Sequence, residues 1–337
     1  MRFDLPPFVA RAPWLGPDLQ TVRNMLRPPR LAAAPGERVI LPLADGSGDC
    51  LAGLLQRPPG GPRAPLAVLV HGLSRGEDSP YLQVSAAALL ARGHGVLRLN
   101  LRGAGASRPL CRFQYHAGRS ADLRDALAAL APALSADGVL LVGYSLGGNM
   151  LLKFLAEYAD ALPVRAAAVV SAPIDLAAAA RRILARRNRV YHWNLLRAMK
   201  REALAPGAEL AADERRAIDA ARTIVEFDDR FVAPRNGFAG AADYYARNSG
   251  ERFLDAIRTP TLLVHALDDP WIPPEAYRRV DWAGLPRLHP LLVAGGGHVG
   301  FHAADDRLPW HDRAIGAFFA AAGAHADTAP TRHGLAP

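Results

Sequence analysis

The sequence predicts an α/β fold in which a mostly parallel sheet carries helices on both faces. Short apolar runs alternate with stretches of helical spacing along most of the chain, an arrangement typical of parallel strands joined by crossover helices. One run leads directly into Gly-x-Ser-x-Gly at residues 143–147 and then into a helical stretch. An interval of helical and irregular sequence, residues 174–258, separates six of the expected strands from the last two.

Eight strands are expected in this sheet. The first two, at residues 39–43 and 51–56, flank an Asp-Gly-Ser-Gly turn and predict an antiparallel hairpin. The other six are short, mainly apolar runs, and the run at 66–70 is continuous, as expected of a strand that is buried on both faces of a parallel sheet. They lie at residues 66–70, 96–100, 139–142, 166–170, 261–264 and 290–293.

Helices are predicted where apolar residues recur every three or four positions, at residues 80–92, 118–134 and 146–158. The interval 174–258 is too long for a structureless loop in a compact domain. We therefore expect a helical cap inserted after the sixth strand, above the strand ends where open α/β sheets bind ligands.

The chain is expected to form one large core with this insertion. Residues 1–173 and 259–322 supply the core, residues 174–258 the cap, and residues 323–337, which are small and polar, a disordered tail. A length of 337 residues, half of them hydrophobic, is sufficient for a sizeable buried core.

The net charge of +8 comes almost entirely from arginine, because Lys153 and Lys200 are the only lysines. Together with abundant alanine, this skew indicates a coding bias, and no nucleic-acid partner is predicted. Residues 181–189 are the one stretch dense enough in arginine to form a patch. They predict a solvated helix face, with an anionic partner or weak peripheral contact to a membrane surface as the alternative.

A cytoplasmic location is predicted from the start of the chain and from cysteine usage. Asp4 and two prolines stand where a secretory signal would be apolar. No run approaches the roughly 18 apolar residues of a membrane span. Cys50 and Cys111 form no Cys-x-x-Cys pair and no disulfide framework.

Residues 139–148 predict a nucleophilic serine at the tip of a strand-to-helix turn. Gly143 and Gly147 leave room for a turn in which a side chain would clash, so the Ser145 hydroxyl is expected to project above the sheet. The backbone N–H of Leu146 lies in the first turn of the helix, where amide groups lack partners. Leu146 is therefore a predicted oxyanion-hole donor.

A serine hydroxyl needs a neighbouring base and an orienting acid to become a good nucleophile. The strand at 261–264 ends in Asp268-Asp269, and the next strand ends in a glycine-rich turn before His298. The order Ser145, Asp269, His298 is a known nucleophile–acid–base order. Asp269 is favoured over Asp268 because a proline follows four residues later, and Asp268 is then expected to accept local backbone hydrogen bonds.

Three other histidines compete with His298 as the base. His302 would share a helix face with His298, and His311 follows further on, whereas His265 is expected to be a satisfied core histidine within a strand. There is no His-Glu-x-x-His motif and no acidic third ligand at useful spacing. Neither a metal nor a cofactor is therefore predicted.

A second oxyanion donor is expected from His71-Gly72-Leu73, directly after the strand at 66–70. Gly72 allows the chain to turn, so that the Leu73 N–H can face the Leu146 N–H. Residues 103–107 contain Gly-x-Gly but lack the third glycine of a dinucleotide-binding loop, and they predict a plain turn.

With these residues assembled, the chain resembles the YheT-type α/β-hydrolases over most of its length. The resemblance implies the α/β-hydrolase fold and a triad of Ser145, Asp269 and His298, in a branch that contains lipid-handling hydrolases and medium-chain acyltransferase/esterases. Ser74-Arg75-Gly76 departs from the acidic residue and glycine that often follow His-Gly-Leu in the family. The matching stretches lie at residues 13–15, 20–21, 71–73, 100–103, 143–149, 227–228, 243–245, 266–270 and 296–301.

The predicted function is serine-dependent hydrolysis of short- to medium-chain acyl or lipid esters. An acyltransferase that passes the acyl group to an alcohol or thiol, and a non-catalytic binding protein with the same fold, are the alternatives. Four aromatic residues of the cap are expected to line an acyl pocket or to belong to the cap core: Tyr191, Trp193, Phe227 and Phe231.

Overall fold

The computed structural model describes residues 5–29, 35–62 and 64–326, with side chains as far as residue 323, and contains an eight-stranded sheet. All eight predicted strands occur, with ends that differ by a few residues from the expected ones. The strands are β1 (Gly36–Pro42), β2 (Cys50–Gln56), β3 (Ala64–Val70), β4 (His94–Leu99), β5 (Val139–Tyr144), β6 (Val164–Val170), β7 (Thr261–Ala266) and β8 (Leu288–Val293).

The strands follow the order β1-β2-β4-β3-β5-β6-β7-β8 across the sheet. The β1–β2 hairpin is antiparallel, and β2 is also antiparallel to β4. The pairs from β4 to β8 are all parallel, so their carboxyl ends lie at one edge of the sheet. This arrangement confirms the predicted fold class.

Alternate residues of the central strands enter two separate apolar cores. On β5, Leu141 packs into one core, whereas Leu140 and Val142 pack into the other, because successive side chains of a strand point to opposite faces. Phe154 covers the first face and Phe318 the second. The sheet is therefore buried on both sides, which accounts for its continuous apolar runs.

Thirteen helices are found among the described residues. The helix predicted at residues 118–134 was wrong in extent, because it ends near residue 128 and a short helix restarts at Pro132, whose ring cannot lie inside a continuous helix. The helices are α1 (Pro17–Leu26), α2 (Pro80–Leu90), α3 (Ser120–Ala128), α4 (Pro132–Ser135), α5 (Leu146–Glu157), α6 (Leu176–Ile183), α7 (Arg189–Ala203), α8 (Ala212–Ala220), α9 (Ile224–Phe227), α10 (Ala233–Arg235), α11 (Ala241–Asn248), α12 (Glu275–Arg278) and α13 (Trp310–Ala326).

The segment between β6 and β7 contains helices α6 to α11 and no strand over its whole described length. We call residues 174–258 the helical insertion. It carries two apolar clusters of its own, one around Phe227 and Phe231 and one around Tyr244 and Tyr245. Ile174, Leu254 and Ile257, near the two ends of the insertion, pack into the first core of the sheet, so the insertion is anchored there and buries its other apolar side chains in these clusters.

The end of the chain differs in part from expectation. Helix α13 continues to Ala326, so the first residues of the predicted tail 323–337 are helical. Residues 327–337, and residues 1–4 at the other end, lie outside the described part of the chain. None of the helices in that described part is both long enough and apolar enough to span a membrane.

Candidate active site

Ser145 stands at a sharp bend between β5 and α5, with φ of 50° and ψ of −122°. Such a backbone conformation costs energy for a residue with a side chain and recurs at functional sites. A Cβ atom on Gly147 would clash with the carbonyl oxygen of His71, and one on Gly143 would lie 2.7 Å from the carbonyl oxygen of Gly147. Both glycines are therefore required for the turn to close, as their positions in the sequence predicted.

The structure brings Ser145, His298 and Asp269 together in one hydrogen-bonded chain. The Nε2 atom of His298 lies 2.9 Å from the Ser145 Oγ, and its Nδ1 atom lies 2.8 Å from Asp269 Oδ2. Because a carboxylate can only accept, Nδ1 carries the proton and Nε2 is left to accept from the serine hydroxyl. This tautomer is the one in which histidine can act as a general base toward Ser145.

Asp269 is held as a buried carboxylate. Its Oδ1 atom accepts the backbone N–H groups of Trp271 at 2.8 Å and Ile272 at 3.0 Å, and its side chain is shielded from solvent. Burial alone would raise the pKa of Asp269, but His298 and these N–H groups more than compensate, and the pKa is lowered. Asp269 is thus charged and fixed at the position where it orients His298.

Asp268 accepts backbone hydrogen bonds, as expected, but one of them comes from beyond its own turn. Its Oδ1 atom accepts the N–H of Gly297 at 2.9 Å, so it connects the end of β7 to the turn that carries His298. The contact spans 29 positions in sequence and is therefore not confined to its own turn. Asp268 does not contact His298, and burial raises its pKa.

Two further residues hold His298 from outside its own turn. The Thr21 hydroxyl oxygen, on α1, accepts the backbone N–H of His298 at 2.8 Å. The Trp271 ring stacks on the imidazole with 4.2 Å between ring centroids, and the Tyr191 ring of α7 packs edge-on against Trp271 at 5.4 Å. Helices α1 and α7 therefore both flank the histidine.

The loop after β3 holds the N–H of Leu73 free. Two neighbouring N–H groups are occupied, since Gly72 donates to the Tyr81 hydroxyl oxygen at 2.9 Å and Ser74 to that of Tyr115 at 2.7 Å. Among the described residues, neither the Leu73 N–H nor the Leu146 N–H has an acceptor. Both groups are therefore available to a ligand, as an oxyanion hole requires.

His71 sets the direction of the Leu73 N–H. Its Nε2 atom accepts the Leu101 N–H at 3.0 Å, so Nδ1 carries the proton and donates to the Gly72 carbonyl oxygen at 2.7 Å. That carbonyl and the Leu73 N–H belong to one trans peptide unit, in which they point in opposite directions. Burial lowers the pKa of His71 to about 4, so the neutral ring that makes both bonds persists at neutral pH.

Replacing Tyr81 by phenylalanine is expected to lower kcat for ester hydrolysis about tenfold and to leave KM nearly unchanged. The Gly72 N–H would lose its acceptor and the adjoining donor would be less well fixed, a smaller loss than the 10²–10³ that follows removal of a donor. Steady-state kinetics measure this separation of kcat from KM.

Tyr158→Phe is the matched control, because the Tyr158 hydroxyl makes no hydrogen bond within the described part of the chain, while its ring packs against Phe154. Wild-type kcat in the Tyr81→Phe protein would contradict a positioning role for Tyr81.

A carboxyl group of the helical insertion reaches the same loop. Glu202, on α7, accepts a hydrogen bond from the Tyr115 hydroxyl at 3.0 Å, and that hydroxyl in turn accepts the Ser74 N–H. Burial raises the pKa of Glu202 to about 7, against the opposing effect of the bond from Tyr115. The insertion and the oxyanion loop are thus joined through a carboxyl group that titrates near neutral pH.

The Glu202 carboxyl group is expected to make folding stability fall as pH rises from 5 to 8. Its pKa of about 7 in the folded chain exceeds the value of about 4.3 in an unfolded chain. Between these values the folded state binds more protons, so the free energy of unfolding decreases with pH. The melting temperature of Glu202→Gln, followed by circular dichroism, should therefore decline less than that of the wild type.

Glu275→Gln is the control, because it changes an exposed carboxyl group on α12. Its melting temperature should change with pH as that of the wild type does. Asp228 and Asp312 are also buried, with pKa values raised to about 7, but they remain in all three proteins and so do not affect the comparison. If the melting temperatures of the wild type and of Glu202→Gln fell equally with pH, the raised pKa of Glu202 would be contradicted.

The three rival histidines are buried away from Ser145. His265 stacks on Tyr277 with 4.1 Å between ring centroids, His302 is buried, and His311 is buried on α13 beside the Phe301 ring. None of their ring nitrogens has a hydrogen-bond partner among the described residues, so the expectation that His265 is a satisfied histidine was wrong. Burial lowers the pKa of each, which leaves all three neutral at pH 7.

The cap aromatics divide between core and surface. Phe227 and Phe231 lie in the apolar core of the insertion, and Tyr191 contacts Trp271 beside His298. Trp193 is 58% exposed and lines no interior surface. In residues 5–29, 35–62 and 64–326, no group of three or more histidine, cysteine or acidic side chains could hold a metal ion.

Comparison with known proteins places this geometry in a family. Residues 65–305 match the model of the alpha/beta hydrolase fold. YheT of Escherichia coli (strain K12), an esterase by name, is 35% identical over 240 residues, which cover 70% of each chain. The chain belongs to the YheT-type alpha/beta hydrolases.

Two further similarities bear on this hydrolase. The medium-chain fatty acid ethyl ester synthase/esterase 2 of Saccharomyces cerevisiae is 28% identical over 281 residues, 76% of this chain and 62% of the yeast protein. The Pyrococcus furiosus esterase Pf2001 superposes with a TM-score of 0.58 at 14% identity over 88% of this chain and 99% of that one, a likeness of fold alone. The relatives named here support carboxylic-ester hydrolysis as the class of reaction.

Proposed function

We propose that this hydrolase cleaves short- to medium-chain carboxylic esters through a Ser145–His298–Asp269 triad. The observation that carries the proposal is the chain of hydrogen bonds from Ser145 to His298 and from His298 to Asp269, at 2.9 and 2.8 Å. The strained serine turn and the two free N–H groups of Leu73 and Leu146 support it. They supply the nucleophile position and the oxyanion hole that acyl transfer needs.

In the proposed mechanism, His298 Nε2 accepts the hydroxyl proton as Ser145 Oγ attacks the ester carbonyl carbon. The N–H groups of Leu73 and Leu146 donate to the oxygen that becomes negative, and Asp269 stabilises the imidazolium. His298 then gives the proton to the leaving alcohol, which departs and leaves an acyl group on Ser145. Water, deprotonated by His298, attacks this acyl-enzyme and releases the acid.

We further propose that the helical insertion is a cap that selects the acyl group. The Leu73 side chain packs against the insertion's cluster around Phe227 and Phe231, whereas Leu146 packs against the cluster around Tyr244 and Tyr245. Both proposed oxyanion residues are therefore covered by apolar parts of the insertion. An apolar acyl chain is the substrate portion that such surroundings favour.

A series of nitrophenyl esters, from acetate to palmitate, tests this function. Turnover is expected to be highest for short to medium acyl chains and to decline for palmitate, because the space between the insertion and Ser145 must hold the chain. Absence of turnover for every ester in the series would contradict the proposed activity. Equal turnover for all acyl chain lengths would contradict selection of the acyl group by the insertion, but it would not contradict the proposed triad.

Acyl transfer to an alcohol is the second candidate, because the yeast relative is named as both an ethyl ester synthase and an esterase. The same acyl-enzyme would then react with ethanol instead of water. Gas chromatography of products formed from an octanoyl ester with added ethanol separates the two. Ethyl octanoate in excess over octanoic acid would make the chain chiefly an acyltransferase.

We also propose that this hydrolase is located in the cytoplasm. Cys50 and Cys111 are both free thiols, and a reducing compartment maintains that state.

A further inference from the structure

Exposed large hydrophobic side chains are concentrated on two segments of this hydrolase. Nine are found among the described residues, and all but Ile40 lie either before residue 27 or on the insertion. Val190 is 71% exposed and Trp193 58%. Soluble chains rarely gather such side chains on one surface without a partner for them. The others are Val9, Leu15, Leu19, Met25, Leu26 and Leu184.

The two segments form one continuous face. Asp18, on α1, accepts a hydrogen bond from the Tyr191 hydroxyl at 3.0 Å and pairs with Arg187 at 3.0 Å. Leu19 and Leu26 lie seven positions apart on α1 and so share one side of that helix, and Leu15 lies just before it. We call this surface the α1–α7 face. It consists of Leu15, Leu19, Met25, Leu26, Leu184, Val190 and Trp193.

The α1–α7 face is surrounded by positive charge. Residues 176–201 contain seven arginines, one lysine and no acidic residue. Arg181, Arg186 and Arg189 are exposed, and none of them forms an ion pair with another described residue. Arg197 lies over the Trp193 ring, with its guanidinium carbon 5.4 Å from the ring centroid. Apolar side chains and unpaired arginines therefore occupy the same surface.

We propose that the α1–α7 face binds the surface of an anionic phospholipid bilayer. Such a surface takes up exposed apolar side chains between its headgroups and attracts arginine to its phosphates, so it satisfies both features at once. A second copy of the chain would bring the same arginines against each other. A nucleic acid would neutralise the arginines and leave the leucines and Val190 in water.

The position of this face gives the binding a consequence for the active site. Thr21 of α1 holds the backbone of His298, and Tyr191 of α7 packs on the Trp271 ring that stacks against His298. Docking through α1 and α7 therefore brings the rim of the site to the lipid surface, into which apolar acyl esters partition. The inference goes beyond the proposed esterase activity and does not depend on it, because binding is measured directly.

Sedimentation of the full chain with lipid vesicles tests the proposal. We expect binding to vesicles of phosphatidylcholine mixed with phosphatidylglycerol, little binding to phosphatidylcholine alone, and weaker binding as salt screens the charges. Arg186→Glu with Arg189→Glu should lower the partition coefficient more than tenfold, since each charge near an anionic surface contributes strongly. Val190→Ser with Trp193→Ser should lower it about tenfold through lost apolar contact.

Matched controls are Ile40→Ser, another exposed aliphatic side chain, and Arg258→Glu, an exposed arginine at the last position of the insertion and outside the α1–α7 face. Both should bind vesicles as the wild type does, and circular dichroism with hydrolysis of a soluble short-chain ester verifies that every variant is folded. Equal binding to both vesicle types, no binding by the wild type, or equal losses in the controls would overturn the proposal. So would a stable dimer that the Val190→Ser and Trp193→Ser pair dissociates, or duplex DNA that competes fully with the vesicles.

Discussion

Replacing Ser145 by alanine is expected to lower kcat/KM for nitrophenyl ester hydrolysis by about 10⁴-fold or more. The substitution removes the Ser145 Oγ, which lies 2.9 Å from His298 Nε2, so no acyl-enzyme can form. The folded structure should persist, because the bend at residue 145 depends on Gly143 and Gly147 rather than on the hydroxyl. Initial rates with the preferred ester of the chain-length series measure the effect.

Ser135→Ala provides the control for loss of a serine hydroxyl, since within the described residues that hydroxyl donates one hydrogen bond, to the carbonyl oxygen of Pro132 at the surface. It should retain wild-type turnover. Comparable turnover by the Ser145→Ala protein would mean that another group performs the attack, and the proposed mechanism would then be wrong.

The second large effect is expected when the carboxylate of Asp269, the acid of the proposed triad, is replaced by an amide. Asp269→Asn should reduce kcat by about 10⁴-fold, because an amide in this position can donate to His298 Nδ1 and thereby turn the ring into the wrong tautomer. The reduction should appear in kcat more than in KM, since Asp269 is buried and contacts no part of the space above Ser145. Burst and steady-state kinetics separate the two parameters.

The neighbouring residue supplies the same substitution as a control. Asp268→Asn preserves an oxygen that can accept the Gly297 N–H, so its activity should remain within about tenfold of wild type. If Asp268→Asn were the more damaging of the two, the assignment of the acid would have to be reversed.

The sequence pattern predicted the sheet well because the central strands are short and are buried on both faces of the sheet. Apolar runs bounded by glycine, proline and polar turns mark such strands with little ambiguity. The serine turn was equally clear, because Gly143 and Gly147 are required by close contacts within five residues. Asp269 and His298 followed from their positions at the ends of the two strands after the insertion.

The residues that position the oxyanion loop and His298 could not be recognised from a sequence pattern. Tyr81 and Tyr115 occupy backbone N–H groups of the oxyanion loop, and Thr21 holds His298 from 277 positions away. These contacts exist only when distant elements pack together, so spacing in the sequence does not reveal them. Motif resemblance had included Thr21 among the matching residues without assigning it a role.

Arg102 illustrates the same limit. In the sequence, Arg102 stands out only as part of residues 100–103, one of the stretches that resemble the family. In the structure its guanidinium is fully buried and pairs with Asp45, Asp49 and Asp122. The pairing raises its pKa and joins the β1–β2 turn to α3. A buried arginine is predictable only from its partners, and these come from two separate parts of the chain, the β1–β2 turn and α3.

The central claim, that Ser145 is the nucleophile activated by His298 and Asp269, is tested most directly by mass spectrometry after reaction with a fluorophosphonate. This reagent phosphonylates a serine only where a base and an oxyanion hole activate the hydroxyl. We predict a single adduct on the peptide that contains Ser145, its formation slowed strongly in the Asp269→Asn protein. An unmodified Ser145, or an adduct on a different serine, would contradict the account.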